Sequence, residues 1–141
     1  KVAPEVVSHN IETVKRLTRK VRVQAKYQTS LEVLRYLKEE GINRTKSGIM
    51  LGLGEEEEEI RTAIKDLSTI GLNVLTLGQY LQPSAEYAPI MRWATPEEFA
   101  NWRKEAIDMG IDVVESGPLV RSSYHAEEQS AQFSSEKTVS L

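Results

Sequence analysis

Thr45-Lys46-Ser47-Gly48-Ile49-Met50-Leu51-Gly52-Leu53-Gly54-Glu55 is the stretch on which the fold turns. Ile49-Met50-Leu51 is a short apolar run, and Thr45 to Leu51 reads as a buried strand. Glycines interrupt or follow it directly before Glu56 to Ile70, where Ile60, Ala63, Ile64 and Leu67 recur at helical spacing until Gly71. Strand, glycine turn and helix in that order form one βα unit. An α/β protein puts ligands at this junction, because glycine permits close approach and the helix start offers free N–H groups. An ordinary turn leading into a solvated acidic helix fits the same residues. The glutamates Glu55 to Glu59 suit the positive end of a helix dipole but would repel a phosphate. The spacing also fails the phosphate-loop pattern, which argues against a nucleotide phosphate cradle.

Outward from this unit the alternation repeats. Val74 to Leu77 is the next strand, followed by Gly78-Gln79-Tyr80-Leu81-Gln82-Pro83-Ser84 and a proline-rich loop to about Trp93. Gln79 and Tyr80 sit at the strand's C-terminal end, where parallel barrels gather their active sites, although a structural loop accounts for them equally well. Thr95-Pro96-Glu97-Glu98 supplies an N-cap, a proline at the first helical position and a capping-box glutamate. The helix it opens carries Phe99, Trp102 and Ala106 on one face and ends at Gly110, and Asp112 to Glu115 is the last strand. Towards the N-terminus, Val6-Val7 is a strand remnant and Ile11 to about Arg19 a predicted helix. Ser30 is the predicted cap of a further helix, in which Leu31, Leu34 and Leu37 recur until Gly41. This makes three to four βα units, too few for a closed barrel, with sheet edges that call for a partner segment.

Gly117-Pro118-Leu119-Val120-Arg121-Ser122-Ser123-Tyr124-His125-Ala126 is chemically dense, but as bare sequence it reads first as a surface turn. Adjacent serine and histidine do not make a hydrolase, since triad members are assembled by folding. His9 and His125 are too far apart in sequence to imply a metal site by spacing. From Glu127 to Leu141 the chain is polar, serine-rich and aperiodic, the composition of a disordered tail.

The 141 residues are 40% hydrophobic and 28% charged, an ordinary globular composition. A net charge of −3 gives no general attraction to nucleic acid or to an anionic membrane. No apolar run approaches bilayer length and no signal peptide is apparent, so a cytoplasmic protein is expected. The chain has no cysteine, hence no disulfide and no thiolate nucleophile or ligand. It starts at Lys1 and enters a strand within a few residues, which reads as a truncated N-terminus.

Taken in order, these segments resemble lipoyl synthase, a radical SAM family. The resemblance rests on His9-Asn10-Ile11-Glu12-Thr13-Val14; Val21-Arg22 with Ala25, Tyr27 and Ser30-Leu31; the stretch from Thr45 to Glu55; Leu75 to Ser84; Thr95 to Phe99; and Gly117 to Ala126. It runs from about Pro4 to Ala126. It implies an α/β fold: residues 1–126 would be the C-terminal part of a partial (β/α) barrel, with parallel strands and outer helices. It implies insertion of two sulfur atoms at C6 and C8 of an octanoyl-lysine, started by a 5′-deoxyadenosyl radical.

The implied cofactors are S-adenosylmethionine and two four-iron four-sulfur clusters. Gly48, Met50, Gly52 and Glu55 fit the pattern G-x-I-x-G-x-x-E, with methionine at the isoleucine position, and would lie along the adenine. Asn10 would contact ribose or methionine, Arg22 the cofactor carboxylate, and Gln79 and Tyr80 the adenine. Ser123 would be the oxygen ligand of the auxiliary cluster, with Arg121 supporting it. Implied partners are octanoylated lipoyl carrier domains or the H protein, together with an N-terminal half.

The departure from the family is severe, because both upstream cysteine motifs that hold the clusters are absent. No catalytic residue is assigned here, and the chain alone is expected to be inactive. The alternative is a non-catalytic module that binds S-adenosylmethionine or a carrier, or half of a split enzyme.

Overall fold

The computed structural model describes residues 6–18 and 27–120, and the backbone of residues 138–140. Five strands form one sheet in the order β4-β3-β2-β1-β5. They are β1 (Val6–Ser8), β2 (Arg44–Leu51), β3 (Val74–Gln79), β4 (Val113–Ser116) and β5 (Thr138–Ser140). Every pairing is parallel. Among the described residues three α-helices connect or follow the strands: α1 (Tyr27–Glu39), α2 (Glu57–Thr69) and α3 (Pro96–Asp108).

Alternation along each strand sorts the side chains onto two faces. Ile49 and Leu51 of β2, Leu75 and Leu77 of β3 and Val114 of β4 share one buried cluster with Leu31 and Leu34 of α1, Ile60, Ile64 and Leu67 of α2, and Phe99, Trp102 and Ala106 of α3. All three helices therefore cover the same face. From β1 to β4 each strand is added beside the one before it. A doubly wound sheet reverses direction and has helices on both faces. Sequential strands with helices on one face make an arc of a (β/α) barrel. The opposite face carries Val6, Ser8, Arg44, Lys46, Gly48, Met50, Val74, Thr76, Gly78, Val113 and Glu115, a mixed polar and apolar set.

The predicted strands around residues 45–51, 74–77 and 112–115 all appear, and the helices stop at Gly41, Gly71 and Gly110, each with positive φ. The N-cap at Thr95 is present: its side chain accepts from the Glu98 N–H, with Pro96 at the start of α3. Three expectations are corrected. Ile11 to Thr18 is not a regular helix. Glu12, at φ 73°, bridges to Ile49, donating to the Gly48 carbonyl at 2.9 Å and accepting from the Met50 N–H at 2.7 Å. Within the described residues up to Thr18, a 3-10 turn, Lys15–Leu17, follows. These backbone bonds to β2 outweigh the local helical period. Ser30 is not a cap but a buried position inside α1, which already includes Tyr27. β3 runs on to Gln79, so Gln79, expected to open the loop, belongs to the strand. Thr138–Ser140, within the stretch expected to be a disordered tail, pair with Val6–Ser8.

Candidate functional site

Local chemistry closes the β2–α2 turn. The Glu55 side chain, 0% exposed, folds back and accepts from the Gly52 N–H at 3.1 and 3.0 Å and from the Leu53 N–H at 2.9 Å. A buried carboxylate needs such donors. Arg92, from the loop between β3 and α3, adds a charge-assisted bond at 3.0 Å. Glu56 and Glu59 form a reciprocal capping box at the start of α2. Arg16 grips Glu59 through two bonds of 2.7 and 2.9 Å and donates to the Gly54 carbonyl at 2.8 Å. Arg61 takes Glu58 and Glu57, reaches Glu105 at 2.8 Å and lies 5.3 Å from the Trp102 ring centre. The acidic run is thus committed residue by residue to the loop, the helix start and α3.

The end of β3 locks the neighbouring loop in the same way. Gln79 is buried, and its amide donates to the Tyr80 carbonyl at 3.0 Å and the Arg92 carbonyl at 3.1 Å while accepting from the Ala94 N–H at 2.9 Å. The Tyr80 hydroxyl donates to the Ala88 carbonyl at 2.7 Å, and burial pushes its pKa up. The Met91 N–H donates to the Gly52 carbonyl at 2.7 Å. A methyl group on Gly52, at φ +108°, would stand 2.5 Å from the Gln79 amide nitrogen and 2.6 Å from the Arg92 carbonyl. Gly52, Glu55, Gln79 and Tyr80 are therefore one interlocked unit at the C-terminal ends of β2 and β3. Alternation puts Gln79 on the helix side with Leu75 and Leu77, away from Gly48 and Met50.

Gly48 and Met50 lie on the helix-free face of β2, in register with Thr76 and Gly78. Asn10 lies just beyond β1, and its side-chain oxygen is 3.5 Å from the Ser8 hydroxyl. Over Gly78 the chain after β4 passes very close: an added Cβ would meet the Val120 carbonyl oxygen at 1.9 Å. Arg22, Arg121 and Ser123 lie outside the described residues, as does His125. Among the described residues no cluster of three or more histidine, aspartate or glutamate side chains is placed to hold a metal ion, and no helix is long and apolar enough to cross a membrane.

Arg16 and Arg92, which hold the loops, stand out by no local pattern in the sequence. Arg92 donates two bonds to Glu98, at 2.7 and 2.8 Å, and the Trp102 indole adds one at 3.2 Å. The Arg92 bond chiefly holds the Glu98 carboxyl below its ordinary 4.5. A carboxylate with a depressed folded pKa stabilises the fold above its unfolded value, and that stability is lost as pH falls through the folded one. Arg92→Met should cost about 0.5–1 kcal/mol at neutral pH after solvent screening. The deficit should shrink as pH is lowered through and below 4.5, when Glu98 protonates in both proteins. Thermal melts of both at pH 7 and pH 3 check this; an undiminished gap at pH 3 would rule out the ion pair as its source.

Comparison with known proteins agrees with this architecture. Residues 1–67 match the Radical SAM superfamily. The chain is 64% identical over 124 residues to a lipoyl synthase of Flavobacterium johnsoniae, covering 88% of this chain and 43% of that protein. It is 62% identical over 126 residues to a mitochondrial lipoyl synthase of Nematostella vectensis, with 89% and 43% covered. Over nearly nine-tenths of its length the chain is similar to lipoyl synthases. The same relation extends to Rubrobacter xylanophilus, whose lipoyl synthase is 57% identical over 128 residues, with 89% and 40% covered. The chain spans less than half the length of these lipoyl synthases. Sequential parallel strands with helices on a single face are consistent with part of a (β/α) barrel.

Proposed function

We propose that this chain supplies the C-terminal part of a lipoyl synthase, whose complete form inserts two sulfur atoms into a protein-bound octanoyl-lysine. The observation that carries this reading is high identity to lipoyl synthases along an arc whose C-terminal strand ends are built around the Gly52–Glu55 turn. In the complete enzyme S-adenosylmethionine supplies the hydrogen-abstracting species, and iron–sulfur clusters supply the electron and the sulfur.

The residues present fit S-adenosylmethionine. Gly48 carries no side chain on the helix-free face, where it is in register with Thr76, and the buried Thr76 hydroxyl has no hydrogen-bond partner. Gly48 and Met50 would present backbone to the adenine, and Asn10 and Arg22 would hold the ribose and carboxylate. Glu55, Gln79, Tyr80 and Gly52 contribute by fixing the turn and its neighbouring loop, because their side-chain polar atoms or free space are taken up there. The residues do not fit the clusters. A chain without cysteine offers no thiolate, and Ser123 with Arg121 would be at most one corner of a site completed from elsewhere. Carrier domains bearing the octanoyl group are the substrate on this reading, and a cysteine-bearing N-terminal portion is the partner. A cytoplasmic setting accords with it.

The test is anaerobic reconstitution of this chain with the N-terminal portion of the Flavobacterium johnsoniae relative, assayed for 5′-deoxyadenosine and lipoyl product. Both should appear in the mixture and in neither part alone. If the relative's own C-terminal portion restores activity and this chain does not, the reading fails.

A further inference from the structure

Exposure alternates residue by residue from Tyr87 to Ala94. Ala88, Ile90 and Ala94 pack against the core, and Arg92 enters its ion pairs with Glu55 and Glu98. The outward positions are Tyr87, Pro89, Met91 and Trp93. Tyr87 is 53% exposed, Met91 56% and Trp93 65%. A segment with one side on the core and the other in water normally turns polar groups outward. Here the outward side is apolar as well, which is the pattern of a segment covered on both sides. Single exposed apolar residues need no explanation, but a row of them marks an interaction surface.

The row is fixed in place. The Ala88 and Arg92 carbonyls and the Met91 and Ala94 N–H groups are bound to Tyr80, Gln79 and Gly52. A backbone held in this way presents its side chains with little ordering left to do on binding. The row stands over the β2–α2 turn, since a Cβ added at Gly54 would come 3.6 Å from the Met91 side chain. Its surroundings carry one sign of charge. From Tyr80 to Glu97 the sole cation is Arg92, already engaged, while Glu86 and Glu97 are exposed to either side of the row.

We propose that the Tyr87–Met91–Trp93 row is the surface on which the N-terminal portion of the complete lipoyl synthase packs. This rests on the proposed function. The chain covers 43% of the Flavobacterium johnsoniae relative, so more than half of that protein lies outside the match and is available as cover. Permanent cover suits the row better than a visiting carrier domain, which would leave Met91 and Trp93 in water between encounters. The covering surface should be apolar and edged by lysine or arginine facing Glu86 and Glu97.

The test is anaerobic calorimetry of the whole chain with the N-terminal portion of that relative, in a preparation that pairs with the relative's own C-terminal portion. Trp93→Ala should weaken the complex at least about tenfold and Met91→Ala about threefold to tenfold, as anchors of an interface do. Tyr36→Ala removes a comparably exposed aromatic on α1 (58%) and should change nothing. Because all three side chains are exposed, the variants should melt with the unmodified chain. Higher ionic strength should also weaken the complex, through the charges at its rim.

Loss of affinity in both row variants, with Tyr36→Ala neutral, supports the surface. A complex and lipoyl product that are indifferent to Trp93→Ala and Met91→Ala overturn it and leave the proposed function intact. No complex with the unmodified chain overturns the surface and the proposed function together. Two other results overturn it by naming a different occupant: an octanoylated carrier domain whose binding alone depends on the row, or a dimer of the chain that Trp93→Ala splits.

Discussion

Gly78→Ala is expected to lift residues 117–120 off the sheet. The added methyl would stand 1.9 Å from the Val120 carbonyl oxygen, a backbone atom, and no side-chain rotation relieves that. β3 cannot yield easily, because Gly78 is paired with Met50 between the buried Leu77 and Gln79. In the segment after β4 the Gly117 N–H donates to the Leu77 carbonyl of β3 at 3.0 Å, and the Val120 N–H closes a turn on the Gly117 carbonyl at 3.2 Å. The overpacking cost should be about 1–3 kcal/mol, with the segment after β4 giving way. Hydrogen exchange at Val120 and Gly117 should accelerate at least tenfold, while amides of β2 stay protected. Uniform acceleration across the sheet would mean that β3 gave way instead. Since Ser123 follows Val120 by three residues, the same substitution should abolish lipoyl product in the reconstituted mixture.

Gly52→Ala should be the most destabilising single methyl in the chain. A φ of +108° is a conformation that L residues rarely adopt, and its strain alone costs about 1–3 kcal/mol. The methyl would also strike the Gln79 amide and the Arg92 carbonyl, at 2.5 and 2.6 Å. Moving either breaks bonds that hold Ala94 and Met91 in place. Together these effects come to about 2–5 kcal/mol, a large share of a small domain's stability. The thermal midpoint should fall by well over ~5 °C. Gln79→Ala in the same background should recover part of the loss by opening space. A midpoint equal to that of the unmodified chain would mean that the turn is not held as described.

Much of this molecule is legible from sequence because its units are local. Runs such as Ile49-Met50-Leu51, the stripe Ile60, Ala63, Ile64, Leu67, and the signal Thr95-Pro96 carry their own instructions. The ends at Gly41, Gly71 and Gly110 do so as well. What escaped is decided at a distance. Glu12 looks helical beside its neighbours, yet its backbone is claimed by Gly48 and Met50, far along the chain. Gln79 looks like a polar loop residue with a group to offer a ligand, but all its bonds are taken by Tyr80, Arg92 and Ala94. Arg92 gives no warning at all. A buried glutamate such as Glu55 implies some cation, but only the fold identifies which one.

The positions of the two tryptophans have a practical consequence. Trp102 is 2% exposed beneath Arg61, whereas Trp93 is 65% exposed and its flanking backbone is tied to Gln79. Their emission should differ in wavelength: the first blue-shifted, the second red-shifted and open to aqueous quenchers. One fluorophore thus reports on the packed helix layer and the other on the loop beside the strand ends, so loosening of the loop and global unfolding are separable in a single unlabelled sample.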